Sequence, residues 1–86
     1  MPHFRATITV MLRSSILDVQ GKTVEHALHA LGFTAVENVR IGKHITLELY
    51  AESHDAAIEQ CHQMSQQLLA NTIIEDYSII VEPSQQ

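Results

Sequence analysis

Phe4, Ala6, Ile8, Val10 and Leu12 alternate with Arg5, Thr7, Thr9, Met11 and Arg13, and this period of two is the strongest constraint on the fold. Successive side chains of a strand point to opposite faces, so one face of this segment is apolar and must be covered, while the other is largely polar. The cover has to come from the rest of an 86-residue chain, which reads as a single domain over residues 1–86. Folding at this size removes only about 60–65% of the unfolded chain's surface, so the core is marginal without help. Hydrophobic residues make up 45% of the sequence and charged residues 17%, a folded composition with apolar surface to spare. Oligomerisation is the expected way to complete the core.

The remaining elements follow from spacing. Ser14 to Gly21 reads as a connector, with Asp18, Gln20 and Gly21 as turn formers. Val24, Ala27, Leu28 and Leu31 fall at i, i+3, i+4 and i+7 and form one helical stripe. Gly32 is placed to adopt the left-handed conformation that ends such a helix. Val39, Ile41, Ile45, Leu47 and Leu49 all sit at odd positions. A two-residue hairpin turn at Gly42-Lys43 would put the two halves of that set on opposite faces unless a bulge intervened. One long strand from about Glu37 to Tyr50, bent at Gly42, keeps them together, and its protruding half would pair with a second subunit. Ser53 can cap the next helix, whose apolar side is Ala57, Ile58, Cys61, Met64, Leu68 and Leu69. Asn71 is expected to end it in the left-handed conformation. Tyr77, Ile79 and Val81 form the inner face of the last strand, where Pro83 should stop the pairing and leave 83–86 as a frayed tail. The predicted fold is α+β: a two-layer sandwich with two helices on one face of a small sheet, a long bent central strand, and a relationship to the ferredoxin-like plan.

Several classes of function are excluded. Ten acids against five basic residues give a net charge of −5, and the basic residues are scattered without aromatic partners, so no nucleic-acid footprint exists. A single cysteine suits a reducing, cytoplasmic setting. The N-terminus lacks the apolar run of a signal peptide, and no segment is long enough to span a bilayer. Six histidines invite a metal site, yet His26 and His29 fall opposite the apolar stripe and face solvent, with no further ligands beside them. His54 and His62 lie eight residues apart on their helix and fare no better, and His3 and His44 stand alone. Cys61 sits mid-helix on the apolar stripe and packs as a small hydrophobe, so it is no nucleophile for glutamine hydrolysis. Glu75 and Asp76 are adjacent on a strand and point to opposite faces, so they cannot converge as an acid/base pair. Arg40 and Lys43 flank Ile41-Gly42 and can meet phosphate or a partner's acids as readily as water. No glycine-rich phosphate loop is present. Catalytic, cofactor and metal residues are therefore none in this chain.

Four segments in order carry a resemblance: Leu17-Asp18-Val19-Gln20-Gly21, Val24-Glu25-His26-Ala27-Leu28-His29, Arg40-Ile41-Gly42-Lys43 and Leu69-Ala70-Asn71-Thr72-Ile73-Ile74-Glu75-Asp76-Tyr77. Together the chain resembles the PurS family, the small subunits of three-part phosphoribosylformylglycinamidine (FGAM) synthases, over about Leu12 to Glu82. The RIGK element matches fully, Val19 replaces the proline of the LDPQG turn, and Thr72 stands where many members have proline. The resemblance implies a non-catalytic subunit of purine biosynthesis, present in two or four copies. It would bridge a PurQ-like glutaminase subunit and a PurL-like synthetase subunit that uses ATP and magnesium, and assist ammonia transfer for conversion of FGAR to FGAM. It offers Asp18, Gln20, Gly21, Arg40, Gly42, Lys43, Asn71, Glu75, Asp76 and Tyr77 as partner contacts. The rival reading is a regulatory module of ACT type that binds an amino acid between paired subunits near the turn ending at Gly21.

Overall fold

The computed structural model describes residues 1–84. Chain order is β1 (His3–Leu12), α1 (Val19–Ala30), β2 (Gly42–Tyr50), α2 (His54–Met64), a π-helical turn (Ser65–Leu69) and β3 (Glu75–Pro83). The three strands form one antiparallel sheet in the order β2-β1-β3, so the alternating first strand lies at the centre. Its register aligns residues of like parity: Ile8 lies between Ile45 and Ile79, and Ala6 between Leu47 and Val81. The apolar face of β1 is closed completely, with Ala6, Ile8 and Val10 at 0% exposure. This is the expected α+β layering.

Most of the cover comes from α2, whose Ala57 and Cys61 are buried in the same core as Phe4, Ile8 and Val81. Ser53 caps it as expected, its Oγ accepting the amide of Ala56 at 3.1 Å. The helix then widens: Ala70 donates its amide to the carbonyl of Ser65, five residues back, and the buried Ser65 Oγ donates to the carbonyl of Cys61 at 2.8 Å. It ends at Ala70, whose backbone is extended. Asn71 is therefore not a left-handed terminator. Among the described residues only Gly32 and Asn38 have positive φ, 103° and 60°.

At Gly32 the sequence expectation holds in detail. Phe33 donates its amide to Leu28 and Gly32 donates to His29, the paired bonds of a Schellman ending. The start of α1 differs, since the helix begins at Val19 and takes Gln20 and Gly21 into its first turn. Its apolar stripe stays largely uncovered within the protomer, with Leu31 74% exposed, Ala27 exposed and Val24 and Leu28 only half-buried, and Leu17 and Val19 at the start of the helix are each 67% exposed. His26 faces solvent, but His29 is half-buried and its Nε2–H donates to the carbonyl of Val36 at 2.6 Å.

Within the protomer only the half of the expected long bent strand from Gly42 onward is a strand. β2 begins at Gly42, and residues 37–41 make no ladder with the sheet. Two causes are visible. Asn38 breaks the extended conformation, and the amides of Val39 and Ile41 are taken by side chains of α1. The hairpin alternative is absent as well. The pairing of β3 reaches Pro83, opposite Phe4, and Ser84 continues it by donating its amide to His3, so 83–84 are not frayed. Gln85 and Gln86 lie outside the described residues. The molecule measures 51 × 30 × 15 Å with a radius of gyration of 16.6 Å. A compact chain of this length would have about 12 Å. α1 and the segment after it thus extend the molecule instead of closing over its core.

Candidate functional site

Three of the four segments singled out in the sequence, residues 17–21, 40–43 and 69–77, meet at one end of the sheet, where β1 ends and β2 and β3 begin. Each is built by a specific local device. Asp18 caps α1 and is only 4% exposed; its Oδ1 accepts the amide of Gly21 at 2.8 Å and its Oδ2 the amide of Ile41 at 2.7 Å. Those donors, the Ile41 amide foremost, hold its carboxyl below the ordinary value, and the nearby Arg40 charge adds to the effect. Glu25, about two turns further along the same face, accepts the amide of Val39 at 3.2 Å and pairs with Lys22 at 3.6 Å. The Val39 amide is the main reason its carboxyl also titrates low.

Asp18, Glu25 and His29 bind Ile41, Val39 and Val36 in turn, so the segment runs antiparallel to α1. The spacing is commensurate. Eleven residues of helix at about 1.5 Å each span about 16.5 Å, as do five extended residues at about 3.3 Å. The contact at Gly21 is tight enough that a Cβ there would lie 2.2 Å from the carbonyl oxygen of Val39. Gly42 is equally constrained, with the carbonyl oxygen of Val10 2.5 Å from the position of a Cβ. Both glycines are needed for close backbone approach.

The third element closes on itself. Asn71 donates its amide to Glu75 Oε1 at 2.6 Å, accepts the amides of Ile74 and Glu75 on its carbonyl, and accepts that of Ile73 on Oδ1 at 3.2 Å. Asp76 pairs with Arg13 at 3.5 Å, while Tyr77 turns to the helix side, its hydroxyl 3.0 Å from His62 Nδ1. Arg40 Nη2 donates to the carbonyl of Arg13 at 2.9 Å, and Lys43 Nζ to that of Leu69 at 3.4 Å.

Between the first two elements and β3 lies an open cleft of about 400 Å³, lined in part by Leu17, Asp18, Gln20, Gly42, Lys43 and Glu75. Nine of the ten sequence-derived candidates thus gather around one end of the sheet, and Tyr77 alone faces elsewhere. Their roles divide. Asp18, Gly21, Gly42 and Asn71 are occupied in shaping the protomer, whereas Gln20, Lys43 and Asp76 are exposed. Sequence reasoning missed two contributors, Glu25 and Arg13, because their partners are backbone groups 14 and 59 residues away.

Among the described residues no reacting constellation is assembled at this end of the sheet. Glu75 and Asp76 address different partners, and the Cys61 thiol is buried with its pKa raised by desolvation. Among the described residues no three His, Cys, Asp or Glu side chains are placed to hold a metal ion, and no helix is long and apolar enough to cross a membrane.

The family model for PurS, described as phosphoribosylformylglycinamidine (FGAM) synthase, matches residues 5–83. The chain belongs to the PurS family. It is 40% identical to the PurS subunit of Bacillus subtilis, over 92% of this chain and 93% of that one. Identity to the PurS subunit of Synechocystis is 46%, over 90% of this chain and 78% of its relative. Among solved structures it is similar to a chain in the structure of PurLQS from Thermotoga maritima. That match has a TM-score of 0.88 and 34% identity, and covers 95% of this chain and 100% of that one. The matched span takes in all of the motif-bearing end of the sheet.

Proposed function

We propose that this chain is the non-catalytic small subunit of an FGAM synthase and acts in purine biosynthesis in the cytoplasm. It pairs with itself and bridges a glutaminase subunit to a synthetase subunit that uses ATP and magnesium. The observation that carries this reading is the full-length likeness to a chain of the Thermotoga PurLQS structure. The exposed Leu17, Val19, Leu31 and Phe33 on and around α1 support self-association, since water contact with four large apolar groups is unfavourable. The motif-bearing end supports a partner-facing role: the exposed Gln20 and Lys43 present polar groups to the cleft, with Arg40 and Asp76 nearby, on a backbone fixed by Asp18, Gly21, Gly42, Asn71 and Glu75. A rigid, catalytically inert module suits ammonia transfer, because ammonia released into bulk water is protonated and ceases to be a nucleophile.

Reconstitution with the glutaminase and synthetase subunits tests the reading. Leaving this chain out should abolish FGAM formation from glutamine while formation from ammonium salt persists. Full glutamine-driven synthesis without it would refute the proposal.

A further inference from the structure

We propose that Arg13 is the positioning residue that fixes the Asn71–Asp76 turn against the Arg40–Lys43 element, so that both are offered to a partner subunit as one surface. This rests on the bridging function proposed above. Arg13 stands directly after β1, at the junction of the elements it joins. Its amide donates to the carbonyl of Ile74 at 2.9 Å. Its guanidinium reaches the same turn twice, Nη2 donating to the carbonyl of Thr72 and Nε lying 3.5 Å from Asp76 Oδ1. Its own carbonyl accepts Arg40 Nη2 at 2.9 Å. The side chain therefore holds both ends of the turn, while the backbone of the same residue meets Ile74 and the RIGK element.

The turn makes its own shape through Asn71 and Glu75, and its last two residues are held in register opposite Leu12 and Met11 of β1. The Arg13 side chain adds a hold on the half of the turn that precedes β3, at Thr72, and Lys43 reaches the carbonyl of Leu69 just before it at 3.4 Å. The placement has a visible object. Ile73 at the turn and Leu68 just before it are 80% and 83% exposed, large apolar groups held out in water where a partner can meet them. Guanidinium geometry suits the task, since its planar fork serves a carbonyl and a carboxylate at once, and an ammonium serves one point.

The test is a titration of this chain into fixed glutaminase and synthetase subunits, reading glutamine-driven synthesis. Arg13→Ala should raise the half-saturating concentration about tenfold, a loss of about 1.4 kcal/mol of association, and reach the same plateau. Arg13→Lys should fall between it and the native chain. Half-saturation at the native concentration would overturn the proposal. If Arg13→Ala does not fold, Asp76→Asn decides, with a severalfold rise expected and no rise contradictory. A parallel readout needs no partner. In the isolated chain, amide exchange at Ile73, Ile74 and Glu75 should quicken severalfold in Asp76→Asn and more in Arg13→Ala, with the β1 ladder unchanged; equal rates would overturn the placement. Failure of the native chain to support synthesis at all would overturn the bridging function and with it this inference, while exchange still reports on the clamp.

Discussion

Replacing Gly21 by alanine separates the described geometry from the ordinary behaviour of a helix. Gly21 lies in the first turn of α1 without a positive φ, where alanine normally gains about 1 kcal/mol from helix propensity. Here the added Cβ would meet the carbonyl oxygen of Val39 at 2.2 Å and the Asp18 carboxyl at 3.0 Å. Ordinary contact starts near 3.4 Å, so the passing segment must retreat by 3.4 − 2.2, or 1.2 Å. Its tethers to α1 span 2.7 Å at Ile41 and 3.2 Å at Val39, and a retreat of that size takes both beyond hydrogen-bonding range. Overpacking of this kind costs about 1–3 kcal/mol, and backbone-to-backbone obstruction belongs at the upper end. After the propensity gain, about 2 kcal/mol of net destabilisation remains, a fall in Tm of about 10 °C for a chain this short. Thermal melts followed by circular dichroism at fixed protein concentration measure it, with Gly32→Ala as the comparison. At Gly32 there is open space around the Cβ, so only its φ of 103° is penalised, at about 1–2 kcal/mol. A Gly21→Ala protein that melts higher than the native chain would refute the tight passage of residues 36–41 along α1.

Acid should weaken the same contact. Asp18 and Glu25 titrate below 3.8 and 4.5 when folded, so their contribution is complete above those values and is lost as pH falls through the lower, folded ones. Urea midpoints should hold from pH 7 to about 5 and decline below about 4.5, and Asp18→Asn should flatten the decline; an unchanged slope would contradict the assignment. Cys61, fully buried with a raised pKa, should resist a thiol reagent in the native protein and react at once in denaturant, and rapid native labelling would contradict its place in the core. Ile8→Ala, at a site with 0% exposure beneath α2, should cost about 2–5 kcal/mol in chemical denaturation, and a loss under 1 kcal/mol would mean the sheet is not sealed there.

What was legible in the sequence was periodic. The alternation of β1, the inner sets of β2 and β3, the Ser53 cap and the Gly32 ending each depend on neighbours within a few residues, and each was read correctly. The central segment misled because its odd-numbered apolar residues satisfy strand parity on both sides of Gly42. The left-handed backbone of Asn38 and the capture of the Val39 and Ile41 amides by Glu25 and Asp18 end the strand, and no local pattern announces a side chain reaching backbone 14 or 23 residues on. The termination of α2 was misplaced by one residue for a similar reason: the π-type bond from Ala70 to Ser65 finishes the helix before Asn71 is reached. At the candidate site the motifs were found as strings, but their division into shape-setting and exposed residues belongs to tertiary structure. Arg13 carries no distinguishing sequence signal.

The most direct test is amide exchange by mass spectrometry on this chain, free and in the reconstituted assembly. Slowed exchange at residues 17–20, 40–43 and 71–76, with 44–48 on the far edge strand unchanged, is the expected result. Protection confined to the open sheet face around Arg5, Thr46 and Glu48, with the motif-bearing end exchanging as in the free chain, would contradict it.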